Sequence, residues 1–104
     1  MPESFDAGKW VYVLVQNSGQ KEQIVGQHDA EKDVAFIPAF PDKDSAYQGV
    51  VHMAKEKGQK YEIQAIILED LLRYAAEGRF LVFILDGQGT ILRRFSPDQN
   101  QRSS

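Results

Sequence analysis

An α+β fold is predicted by three features of the sequence. Short runs rich in β-branched and aromatic residues recur along the chain, and two stretches carry helical spacing instead. The segments between them are mostly short, which favours hairpins and tight turns. The chain has 104 residues, a length that suits one domain with its own core. The expected architecture is a mainly antiparallel or mixed sheet with two helices packed on it, in the order β-β-β-α-β-α-β-β. The folded part is expected over residues 9–95, between flexible polar tails at 1–8 and 96–104.

Trp10-Val11-Tyr12-Val13-Leu14-Val15 is apolar without alternation, so it reads as a strand covered on both faces. Asn17-Ser18-Gly19-Gln20 supplies turn chemistry. A second strand is expected over 22–27, with Ile24 and Val25 as its apolar content. The polar stretch from His28 to Asp33 leads into Val34-Ala35-Phe36-Ile37, a third strand. Pro38 has no N–H to give a ladder, so that strand ends there or runs along an edge.

The acids in Pro41-Asp42-Lys43-Asp44-Ser45 mark a helix start, with Asp42 or Asp44 able to accept from the first free N–H groups. Tyr47, Val50, Val51 and Ala54 come next at helical spacing, and Lys55, Lys57 and Gly58 suit a helix end. The first helix is therefore expected over 44–57. Tyr61, Ile63, Ala65 and Ile67 alternate with Glu62 and Gln64, the pattern of a half-buried strand. Leu68, Leu71, Leu72 and Ala75 then form one stripe of a short helix over 69–77, closed by Gly78. The apolar run 80–85 reads as a buried strand, Asp86-Gly87-Gln88-Gly89 as a hairpin turn, and 90–95 as the returning strand.

Composition narrows the function classes. With no cysteine, the chain has no disulfide framework, thiol nucleophile or cysteine metal site. The net charge of -3 disfavours general nucleic-acid binding. No uninterrupted apolar run, 80–85 included, exceeds six residues, and a membrane span needs about 20 residues. The first residues lack the apolar segment of a secretion signal, and neither end carries a lipidation motif. A cytoplasmic location is expected, with no membrane and no nucleic acid among the partners.

The residues that carry chemistry do not converge on a reaction. His28 falls in a loop and His52 on the first helix, without a metal-ligand spacing. Glu69-Asp70 and Asp42/Asp44 sit at helix starts, where acids suit the dipole and the caps. Asp86-Gly87-Gln88-Gly89 offers too few ligands for calcium and no following helix for a phosphate. No serine stands in a nucleophile elbow. Lys55, Lys57, Lys60, Arg79, Arg93 and Arg94 are interleaved with Glu56, Glu62 and Glu77, which reads as a solvated mixed surface. The expectation is a chain without enzyme activity, metal or cofactor.

Trp10, Tyr12, Phe36, Phe40, Phe80 and Phe83 are mostly core by their placement in strands. Phe40 stands apart, bracketed by Pro38 and Pro41, and either caps the core or is presented to a partner. Phe36-Ile37-Pro38-Ala39-Phe40 before Pro41-Asp42-Lys43-Asp44 resembles the N-terminal domain of SseB-type bacterial proteins. Leu68-Glu69-Asp70-Leu71-Leu72 and the strand 80–85 are similar to the later part of that domain. Pro41 stands where that family usually has a hydroxyl residue. The resemblance implies a small bacterial cytosolic α+β protein with no catalytic residues to carry over.

Two functions are compatible with these features. The first is a protein-interaction or regulatory module, using Pro38, Phe40 and Pro41 or a sheet edge that pairs with another protein or a second copy. The second is a small-molecule domain, with an organic anion held between sheet and first helix near Tyr47, Tyr61 and Arg79.

Overall fold

The strands sort into two sheets that meet over a common apolar core. A computed structural model describes residues 8–17, 22–53, 55 and 57–96. The two expected tails lie mostly outside the described residues, as does most of the turn proposed at Asn17-Ser18-Gly19-Gln20. The elements are β1 (Trp10–Asn17), β2 (Glu22–Ile24), β3 (Gln27–Asp29), β4 (Val34–Ala39), α1 (Lys43–Val50), β5 (Lys60–Ile67), α2 (Leu68–Gly78), β6 (Leu81–Leu85) and β7 (Ile91–Phe95). The α+β class and the order of strands and helices are those expected, except that the expected second strand is divided into β2 and β3.

One sheet runs β2-β1-β5 and the other β3-β4-β6-β7. All pairs are antiparallel except β4 with β6. The expected second strand is divided, because the chain leaves β1 after Ile24 and joins β4 at Gln27. Gly26 lies at the change of sheet, where a Cβ would stand 3.0 Å from Phe80 Cε1 and 3.3 Å from Phe36 O. A bend of this kind lets one strand serve two sheets. A two-bond bridge joins them again, Tyr12 N to Phe40 O and Phe40 N to Tyr12 O, both 2.8 Å.

The β4 strand does not stop at Pro38. It runs to Ala39, and Pro38 pairs with Phe83 of β6. On its other side β3 pairs only with 34–36, so Pro38 lies where β4 has become a local edge and its missing N–H is tolerated.

Alternation along β1 builds two apolar layers. Val11, Val13 and Val15 join Ile37, Ala39, Val82, Ile84, Leu68, Leu71 and Ala75 in the main core, with α2 packed against β5 and β6. Leu14, on the opposite face, is buried as well. Phe40 pairs with Tyr12 and so shares that face. Its ring lies against Gly49 of α1, where an added Cβ would stand 2.6 Å from Phe40 Cζ. From Val11 to Val15 β1 is thus covered on both sides, as its apolar run requires.

Asp42 caps α1, its Oδ1 accepting from Ser45 N at 2.7 Å. The helix is shorter than the expected 44–57 and ends at Val50. Beyond it His52 N donates to Gly49 O and Met53 N to Val50 O, bonds of three-residue span that tighten the chain into turns. Lys55 Nζ donates to Val50 O at 2.7 Å and so satisfies a terminal carbonyl from outside the helix. At the end of α2 the expected roles shift by one residue. Gly78 is helical, and Arg79 takes the left-handed position with φ 62. Gly78 is needed for closeness, since a Cβ there would stand 2.7 Å from Phe80 Cε2.

The β6–β7 hairpin turns on Asp86. Its Oδ1 accepts from Thr90 N and Gln88 N, each at 2.9 Å. These bonds, that from Thr90 foremost, hold its carboxyl below the ordinary aspartate value of 3.8. A depressed folded-state value stabilises the hairpin above the unfolded value, and that contribution disappears as pH falls through the folded one. A carbon-detected NMR titration is expected to place the Asp86 midpoint below that of an unfolded aspartate, and Asp86→Asn to remove this part of the acid sensitivity. A midpoint at or above the ordinary value would show that the turn bonds do not favour the carboxylate.

Candidate functional site

The proline-bracketed cluster is structural. Phe40 is 1% exposed and Pro38 is fully buried, while Pro41 is half-buried at the helix entry. Phe40 is therefore a core residue beneath α1: of its two expected roles it takes core capping, and neither it nor Pro38 is presented to a partner. Both residues border a partly open hollow of about 150 Å³, lined by Phe36, Met53 and Leu85 together with Gln27, His52 and Gln88.

Tyr47, Tyr61 and Arg79 are not brought together at one cavity. Tyr47 is 58% exposed on α1. Arg79 is exposed at the end of α2. Of the three, only Tyr61 lines the groove of about 660 Å³ around the Val25–Gly26 bend. The register lays Gln23, Gln16 and Tyr61 side by side across β2, β1 and β5. Lys55, Tyr74 and Phe80 also line it. Sequence reasoning missed the glutamines because they are far apart in the chain, and only strand pairing makes them neighbours.

A second feature is the outer edge of β5. Tyr12 N–H and C=O are used towards Phe40, and Leu14 C=O accepts from Val25 N. In an antiparallel ladder alternate residues point opposite ways. Val11, Val13 and Val15 therefore face β5, where their partners are Ile66, Gln64 and Glu62. By the same alternation the main-chain groups of Ile63 and Ala65 point away from β1. β5 ends its sheet, so these groups have no strand to meet among the described residues. Trp10 lies beside this edge, paired with Ile67 and on the same face as Ile63 and Ala65. Its place in an apolar run predicts a core position, and it is instead 54% exposed.

The titratable groups have local roles. Arg73 meets Glu69 at 3.7 Å and Asp70 at 3.2 Å on the exposed side of α2. His28 Nε2 lies 3.1 Å from Asp33 Oδ1 in an exposed loop pair. Among the described residues no group of three or more histidines and carboxylates is placed to hold a metal, and no helix is long and apolar enough to cross a membrane. On the second sheet Phe36 stacks on Phe83 at 4.6 Å, with the Arg94 guanidinium 5.8 Å from the Phe83 centroid. No protein-family model, curated protein or solved structure matches the chain.

Proposed function

We propose that this chain is a protein-interaction module that takes an extended segment of a partner, or of a second copy, as an added strand along β5. The observation that carries the reading is the outward turn of the Ile63 and Ala65 main-chain groups along an eight-residue strand paired on one side. An edge of this kind is a template for another strand, with backbone bonds giving affinity and alternate side chains giving selectivity. Trp10 supports the reading from the neighbouring strand, because an exposed tryptophan beside an open edge is a ready anchor for a partner side chain. We place the module in the cytoplasm, in keeping with the bacterial family it resembles, and assign it no catalytic step.

The test is a display library of extended peptides selected on the chain and counter-selected on Ala65→Pro. Proline at 65 removes an outward N–H and leaves every N–H that faces β1. Peptides that bind the natural chain and not Ala65→Pro are expected, with a blue shift of emission from Trp10, the only tryptophan. Ala65→Thr, which keeps the N–H and favours a strand, is expected to bind as the natural chain does. Failure to enrich any peptide, or enrichment of peptides indifferent to Ala65→Pro, overturns the reading.

A further inference from the structure

We propose that the groove around the Val25–Gly26 bend is a binding site for a small aromatic carboxylate. Its volume of about 660 Å³ falls within the ~300–1,000 Å³ of ordinary ligand sites. Its lining sets amides, phenols and one ammonium around a shared space. Gln23, Gln16 and Tyr61 form the cross-strand row on one side, while Tyr74 and Phe80 supply ring surfaces. No carboxylate stands among the described lining residues, although acids outnumber bases 15 to 12 in the whole chain.

Lys55 supplies the charge. Its Nζ is held by two carbonyl oxygens, Val50 O at 2.7 Å and Met53 O at 3.5 Å. Carbonyls fix the position of an ammonium without cancelling its charge, and Lys55 meets no carboxylate among the described residues. His28, the other basic group on the wall, is offset by Asp33. A single ammonium balances one negative charge, so the site suits a singly charged carboxylate, whereas a phosphate dianion would keep an uncompensated charge. The glutamine amides can donate to and accept from polar substituents on the ligand ring.

Benzoate, with benzamide as its neutral counterpart, titrated into the full chain and followed by amide NMR tests the site. Saturable shifts are expected at Gln16, Gln23, Gln27, Tyr61 and Tyr74. Benzoate is expected to bind about tenfold more tightly than benzamide, the size of one charge-assisted hydrogen bond. Lys55→Met should remove that advantage and leave benzamide unchanged, while Lys55→Arg should retain it. Spectra of both variants outside the groove should overlay on the natural chain. Shifts that do not saturate or that map elsewhere overturn the site, as do equal affinities for the two probes or indifference to Lys55→Met. The result is independent of strand addition at β5, because the test reads Lys55 and the groove, and Ala65 is not among the lining residues.

Discussion

Phe40→Ala is expected to destabilise the fold by about 3–5 kcal/mol, the usual cost of emptying a buried aromatic site. The ring is 1% exposed and fills the space between β4 and Gly49 of α1. The hollow already present beside it, about 150 Å³, would merge with the vacated volume and prevent the surroundings from closing. A small domain holds only about 5–15 kcal/mol in total, so the urea midpoint should fall sharply with little change in slope. A Phe40→Ala protein with the natural midpoint would show that the ring is not part of the core. Phe40→Leu, which keeps most of the volume, should recover much of the loss.

The other large effect is expected on the opposite layer. Leu71 is fully buried on α2 among Val11, Ile37 and Ile84 of the main core. Leu71→Ala is expected to cost about 2–5 kcal/mol through lost burial and a residual cavity. Leu72, next in sequence, is only partly buried and packs at the margin of that core. Leu72→Ala should therefore cost clearly less in the same denaturation experiment. Equal losses at the two positions would mean that α2 is rotated about its axis from the orientation described.

The contrast between Leu71 and Leu72 also marks how far the sequence can be read. The stripe Leu68, Leu71, Ala75 follows from helical period alone, and so does the face α2 buries. The first strand was legible for a similar reason, since an apolar run without alternation needs cover on both faces. The end of α1 was not legible. Val50, Val51 and Ala54 keep helical spacing past the point where the backbone tightens into turns, and the carbonyl cap from Lys55 exists only once the chain has folded back. The division at Val25–Gly26 is tertiary too, because it depends on β1 and β4 each claiming part of one extended segment.

The binding surfaces were less legible than the fold. Phe40 draws notice because it is an aromatic between prolines, yet those prolines only bring the chain into the core and out towards α1. Tyr61 belongs to the expected pocket and does line a groove, but its companions are Gln16 and Gln23, two residues without any local signal. The β5 edge is expected from the sequence only as some edge of a sheet. Its identity depends on which strand ends the order, and hydrophobic alternation does not specify that order.

The parallel pairing of β4 with β6 has a consequence for synthesis. Between the two strands the chain must build α1, β5 and α2. As the polypeptide leaves the ribosome, β1 emerges well before β5, and β4 well before β6. Val34-Ala35-Phe36-Ile37 then waits as an apolar segment without its main neighbour until residue 84 is free. Such long-range pairings are slow to close and leave sticky intermediates exposed meanwhile. The second sheet therefore cannot close before β6 is made, and a chain cut short before it would leave the β4 side chains exposed to aggregation.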